Sequence, residues 1–255
     1  MKNLNLFLLT VGMLIWSSCS YINSGATGFS VVGPFTTSAF KCIRVSIPDT
    51  AHYAVIRAYQ NSQSPAGIDT NALQTITNAL AAGYNVDAYV EICRGINATS
   101  QINLVNTDIM IPAHTNPANH NRMIAIKVEP SSNPTCSWAG HTAIDNCNFL
   151  TEAVNAVTHL GWFPSVFSTA NIWKQFFGSS CDTFATATGA AVWYAKYDNT
   201  GHVTSSNTFD DFVPFGGWAL SGRKVTIKQI SGNLTVPLLC GSTAWHAFVD
   251  LISFV

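Results

Sequence analysis

Short apolar runs of strand length recur along this chain, and through its first two-thirds they alternate with stretches of helical period. Parallel strands need long crossovers, and amphipathic helices are the usual crossover. The expected fold is therefore α/β, with a parallel sheet or barrel. The runs are Phe29–Val32, Tyr53–Tyr59, Asn85–Cys93, Met123–Glu129, Trp162–Ser168, Ala190–Tyr197, Val225–Ile230 and Ala247–Val255. The spacing of Ala72, Leu73, Ile76, Ala79 and Leu80 predicts a helix over 69–82, with Asp69 as N-cap and Gly83 as the stop. Further helices are expected over 38–47, 100–111, 146–160 and 170–177. Helices thin out after the sixth strand, so the last third reads as strands joined by loops. No internal repeat of solenoid period is present.

One run carries the most chemistry. Met123-Ile124-Ala125-Ile126 is apolar throughout, then Lys127-Val128-Glu129 leads directly into Pro130. Such a segment reads as a buried strand that delivers a carboxylate to the rim of a core. Lys127 and Glu129 are two residues apart, so their side chains leave the strand on one face.

Composition narrows the functional classes. Twelve Lys and Arg nearly balance thirteen Asp and Glu, and charged residues are only 10% of the chain. A nucleic-acid binder would need clustered positive charge, so none is expected as a partner. Neutral, sugar-like ligands remain open. Lys2 followed by the apolar run Leu4 to Trp16 and the small residues Ser17, Ser18 and Ser20 reads as a secretory signal peptide over 1–20. The remainder, 21–255, is long enough for one large domain. Its expected setting is outside the cell or in a secretory or digestive lumen, as a monomer with no membrane attachment after cleavage. Six cysteines then remain, Cys42, Cys93, Cys136, Cys147, Cys181 and Cys240, an even count that suggests disulfides. Cys136 and Cys147 flank a short loop and are the expected local bridge. Asn97-Ala98-Thr99 and Asn233-Leu234-Thr235 are glycosylation sequons on a eukaryotic secretory route.

In a β/α barrel the reacting groups sit where the strands end. The polar residues at those ends are Arg57, Glu91, Lys127, Glu129, Asp198 and Gln229, with Tyr59, Tyr89 and Tyr197 beside them. Aromatics with a few carboxylates suit a sugar-binding cleft, although a polar layer packed inside a barrel explains Asp87, Tyr89 and Glu91 nearly as well. Of the tryptophans, Trp162 and Trp173 read as core by spacing, and Trp193 or Trp218 as the sugar platforms. No GxSxG elbow, phosphate loop, HExxH or Cys/His zinc spacing is present, so no metal and no cofactor is expected. His114 and His120 flank an Asn/Pro-rich loop and read as solvent-facing.

The order YAVIRAY (53–59), Val86–Cys93, Met123–Glu129, VFSTANIW (166–173), VWYAKYD (192–198), FDDFVPFGGW (209–218) and IKQ (227–229) resembles the family 25 glycoside hydrolases, above all the lysozymes of nematodes and some protists. The likeness covers nearly the whole chain after the leader. It implies a secreted protein with a single flattened β/α barrel and irregular final strands. It also implies cleavage of N-acetylmuramic acid linkages in bacterial peptidoglycan, in defence or digestion, with Glu129 as proton donor. Tyr59, Tyr89, Glu91, Lys127, Trp193, Tyr197, Asp198 and Gln229 are the expected substrate-binding set.

Three departures stand against that likeness. The family's Asp-x-Glu motif reads Lys127-Val128-Glu129 here, its Asp at the end of the first strand is Val32-Gly33, and its last Asp falls in 241–245, where there is no acid. One of four family carboxylates is thus retained. In the sugar-assisted mechanism that the resemblance implies, the missing Asp steadies the acetamido group as positive charge develops, and Lys127 opposes that charge. Glu91, Asp198, Asp210 and Asp211 are the acids left as replacements. Two functional readings therefore stay open, a glycosidase with impaired chemistry and a non-catalytic peptidoglycan-binding protein, with structural reuse of the barrel as a third.

Overall fold

The strand-length runs pair into one sheet that closes on itself. The computed structural model describes residues 27–46, 53–113, 123–196, 209–222, 225–229, 234–235 and 248–254. The expected leader at 1–20, Tyr197, Asp198 and the segment 241–245 lie outside the described residues. In chain order the elements are β1 (Thr27–Val31), α1 (Thr37–Ser46), β2 (Tyr53–Gln60), β3 (Gly67–Ile68), α2 (Ala72–Ala81), β4 (Asn85–Glu91), α3 (Ala98–Val105), a π-helical stretch (Asn106–Met110) running into α4 (Ile111–Ala113), β5 (Met123–Lys127), α5 (Ala143–His159), β6 (Phe163–Ser168), α6 (Ala170–Phe176), α7 (Phe184–Thr188), β7 (Ala191–Ala195), β8 (Val225–Gln229), β9 (Leu234–Thr235) and β10 (Phe248–Phe254).

Strands β1, β2, β4, β5, β6, β7 and β8 are parallel neighbours in that order. Antiparallel β10 pairs with both β8 and β1 and closes the ring. The expected β/α barrel is present, and its irregular finish takes the form of this reversed strand. A reversed neighbour needs no helical crossover, so the step from β8 to β10 requires none.

Because the sheet is closed, both faces of its strands are buried, and alternation sorts side chains between two cores rather than between core and water. Val55, Tyr89, Met123, Ala125, Phe167, Trp193 and Ile227 fill the barrel interior. Ile56, Val90, Ile124, Ile126, Val166 and Val192 point the other way, into the layer under the helices with Ile76, Ile102, Leu150 and Val157. At roughly 1.5–3 kcal/mol per fully buried aliphatic side chain, this outer layer is the main force holding helices to sheet.

Several local expectations are corrected. Asp69 is not the α2 cap; it lies two residues before Asn71, the N-cap, and accepts the Asn71 N–H. Its other oxygen holds Arg57. The helix expected over 100–111 starts at Ala98, capped by Asn97 through the Ser100 N–H, and loosens into the π-helical stretch. α5 starts earlier than expected because Thr142 caps it through the Asp145 N–H. Cys136 and Cys147 do not bridge each other: among the described residues Cys93 pairs with Cys136 and Cys147 with Cys181. With α5 beginning at Ala143, Cys147 is on a helix that packs toward the α6–α7 connection. Cys136 instead sits in a turn beside the end of β4.

The FDDFVPFGGW segment covers the outside of β7. Trp173, Phe184, Phe215 and Trp218 form an aromatic cluster there, with neighbouring ring centres 5.0–5.6 Å apart. Gly216 has φ of 58°, and a Cβ there would stand 2.7 Å from the Trp173 and Trp218 rings. Only glycine fits. Trp218 donates its indole N–H to the Ala190 carbonyl and is buried, so it is a packing residue and not a sugar platform.

Candidate active site

Three inward-facing positions near strand ends continue a two-residue step from the interior core. The step from Val55 leads to Arg57, from Tyr89 to Glu91, and from Ala125 to Lys127. Three adjacent strands, β2, β4 and β5, therefore raise three charged side chains to the barrel mouth, with Glu129 one further step up. Arg57, Glu91, Lys127 and Glu129 line an open cleft with Asn61, Ser62, Pro130, Ser131 and Ser132. Its volume of about 250 Å³ is below the roughly 300–1,000 Å³ of enclosing ligand pockets. It suits part of a longer ligand lying across the mouth.

The charges alternate across the sheet. Arg57 Nη2 is 2.9 Å from Asp69 Oδ2, and Nη1 is 3.5 Å from Glu91 Oε2. Lys127 Nζ is 3.0 Å from Glu129 Oε2. The expected proximity of Lys127 and Glu129 is thus a direct ion pair. Beneath it, Lys127 Nζ stands 5.6 Å and 5.2 Å from the ring centres of Tyr89 and Phe167, which face a cation favourably. The Lys127 side chain is 16% exposed and that of Glu129 37%.

Two of these groups titrate away from their ordinary values. Burial pushes the Glu91 carboxyl up; Arg57 and Lys127 pull it back and Glu129 adds to the rise, leaving it raised. Burial works against the Arg57 charge, but Glu91 first, then Tyr89 and Asp69, hold its pKa above the ordinary value.

The cleft wall is a web of loop contacts. Asn61 donates to the Ile92 carbonyl, Asn133 donates to the Gln63 carbonyl at 2.7 Å, and Cys93–Cys136 fastens the end of β4 to the same loop. Asn61, Ser62, Ser131 and Ser132 were missed by sequence reasoning. The clue was the pair of polar stretches that end β2 and β5, which read only as strand stops. The Arg57–Asp69 pair was hidden because Asp69 was taken for a helix cap.

The other expected site residues are elsewhere. Tyr59 follows a bulge in β2 and is buried in the outer layer, not the cleft. Trp193 is 1% exposed, with its ring 5.1 Å from Phe167 and 6.1 Å from Tyr89, so it is interior packing and cannot serve as a platform. Tyr89 lies under Lys127, and Gln229 is buried beside Ala195. Val32, where the resemblance implies an acid, is partly buried against the apolar interior core. Across the barrel wall, Asp211 and Lys228 pair at 2.8 Å and Tyr194 donates to Asp211 at 2.7 Å, on the outer face. Among the described residues, no group of three or more His, Cys, Asp or Glu could hold a metal ion, and no helix is long and apolar enough to cross a membrane.

The fold and the cleft define the class: a β/α barrel with a charged cleft at the C-terminal ends of its parallel strands. Residues 23–230 match the family described as Lysozyme-like protein 1, and the chain belongs to that family. It is 26% identical to Lysozyme-like protein 5 of Caenorhabditis elegans over 226 residues, covering 88% of this chain and 91% of that protein. It is 28% identical to Counting factor 45-1 of Dictyostelium discoideum over 168 residues, 66% of this chain and 50% of that protein, so it spans about half that relative's length. The muramidase from Trichobolus zukalii has the same fold, with a TM-score of 0.58 at 17% identity, covering 90% of this chain and 93% of that one.

Proposed function

We propose that this chain is a lysozyme-type glycosidase acting on the glycan strands of bacterial cell-wall peptidoglycan, with Glu129 as a reacting carboxylate. The observation that carries this reading is the placement of Glu129: a half-exposed carboxylate one step beyond the end of β5, in an open polar cleft at the strand-end face. Membership of the lysozyme-like family, and the fold shared with a protein named as a muramidase, support the substrate class. The protein works outside the cell or in a digestive lumen, as a monomer, after loss of residues 1–20. The Cys93–Cys136 and Cys147–Cys181 disulfides fit an oxidising compartment, and Asn97 of the first sequon is exposed on the surface.

A second reading, wall binding without turnover, is favoured by one specific contact. The Lys127 ammonium occupies Glu129 Oε2 and brings positive charge to a site where the glycosidic carbon becomes positive in the transition state. Purified mature protein and Glu129→Gln are assayed for release of reducing ends from peptidoglycan, alongside a pull-down on insoluble wall. Turnover that the substitution abolishes is expected. Wall binding without turnover by the unsubstituted protein would establish the second reading instead.

A further inference from the structure

Glu91 is the cleft carboxylate that the lysozyme-like resemblance does not use. It ends β4 and stands opposite Lys127 in the β4–β5 ladder, while Glu129 follows Lys127 by two residues on the same face. Strand spacing then puts the Cα atoms of Glu91 and Glu129 about 8 Å apart, close enough for both carboxyl groups to reach one glycosidic linkage. The two environments differ. The Glu91 side chain is 16% exposed, and its cation, Arg57, lies 3.5 Å away and is held more closely by Asp69. Glu129 is more open and has an ammonium at 3.0 Å.

We propose that Glu91 is a second catalytic residue of this cleft, giving its proton to the glycosidic oxygen while the Glu129 carboxylate takes the proton of the attacking water. The assignment rests on the glycosidase reading above and departs from the family expectation that Glu129 is the donor. As the bond between C1 and the bridging oxygen breaks, that oxygen takes the Glu91 proton and leaves as a hydroxyl. The water oxygen bonds to C1, and its proton passes to Glu129. Exchange with solvent then resets both groups, and water is the only co-reactant. The groups facing Glu91 are Arg57 from β2, Lys127 at the end of β5 and Glu129 two residues beyond it. Their balance with burial keeps the proton on Glu91 to higher pH than an ordinary glutamate, as a donor requires.

The test compares two substrates on the intact mature protein. One is peptidoglycan, whose leaving sugar must be protonated. The other is a dinitrophenyl chitooligosaccharide, whose leaving group departs without a proton. Glu91→Gln is expected to lose about 10²–10⁴-fold on peptidoglycan while remaining within about tenfold of the unsubstituted protein on the aryl substrate. Circular dichroism establishes that the variant is folded. The unsubstituted protein supplies an independent arm, with its rate falling on the alkaline side for peptidoglycan but not for the aryl glycoside. Equal losses on both substrates in a folded variant, or no loss on peptidoglycan, would overturn the assignment and leave the glycosidase reading standing. If the variant does not fold, matching pH profiles of the unsubstituted protein on the two substrates overturn it. No turnover of either substrate by the unsubstituted protein would overturn both.

Discussion

Lys228→Met should destabilise the protein by about 2 kcal/mol, and the reason lies on the outer face of β7 and β8. Lys228 and Tyr194 are cross-strand partners, and both reach Asp211 in the segment that covers β7. The Lys228 side chain is 3% exposed and that of Asp211 30%. Removing one partner of a fully buried pair costs about 3–5 kcal/mol, whereas an exposed pair contributes at most about 1. Asp211 lies between those limits and keeps the Tyr194 hydrogen bond and the nearby Lys196 charge, which places the loss near 2 kcal/mol. Methionine preserves the apolar stem, so packing changes little. Urea denaturation should show the midpoint lowered by about 1 M. Burial alone would raise the Asp211 pKa, but hydrogen bonds from Lys228 and Tyr194, with the Lys228 and Lys196 charges, leave it lowered. The unfolded chain therefore takes up the proton first as pH falls. The stabilisation from this pair is complete above the ordinary Asp value near 3.9 and drains away as pH falls through the lower folded value. The variant's deficit should accordingly shrink as pH falls below the ordinary Asp range. Lys228→Met/Asp211→Asn removes both charges and should recover about half the loss or more. A single variant as stable as the parent, or a double variant no better than the single, would refute the reasoning.

Other outcomes follow from the same contacts. Replacing Cys93 and Cys136 with serine opens a loop of 43 residues and should cost about 4 kcal/mol on the chain-entropy estimate, read as a lowered denaturation midpoint. Trp193→Ala should cost about 3–5 kcal/mol; a loss confined to glycan affinity would instead restore it as a platform. Gly95→Ala would put a Cβ 2.2 Å from the Thr135 carbonyl oxygen, and thermal unfolding should show a loss of about 1–3 kcal/mol.

The barrel was legible because buried parallel strands announce themselves as apolar runs between helices; β4, β5, β6, β7 and β8 fall within the expected segments, and β2 passes its own by one residue, Gln60. Strand direction was not legible. Side chains alternate with period two whichever way a strand runs, so nothing in Phe248–Phe254 marks it as the antiparallel closing strand. The same closure explains the misreading of Trp193, while Tyr59 was turned to the outer layer by the bulge after Arg57. In an open sheet one face meets water, and an aromatic beside a polar position can be taken for a cleft residue. In a closed one both faces are core, and period two decides only which core a residue enters. The cysteine pairing was hidden for a related reason. Neighbours in sequence were separated by the early start of α5, and the true partners are 43 and 34 residues apart.

The site was legible in part, and the part that was not concerns charge. From the sequence, Lys127 looked like a cation imposed on a catalytic carboxylate. The structure puts it inside an alternating row: Asp69, Arg57, Glu91, Lys127, Glu129. Three acids and two cations leave that row one negative charge in excess when every group is ionised. Partly buried charge is costly to leave unbalanced, and burial pushes the Glu91 carboxyl up. With Glu91 protonated the row is neutral, Arg57 answering Asp69 and Lys127 answering Glu129. The lysine at 127 itself works against that proton, where an aspartate there would have favoured it, so it is burial that leaves Glu91 raised despite its two cations. Swapping the charge at 127 would accordingly shift the alkaline limb of turnover in a direction fixed by sign: Lys127→Met removes a cation that pulls the Glu91 proton off, so the limb should move to higher pH. A limb that stays in place would mean that Lys127 does not govern the acid of this cleft.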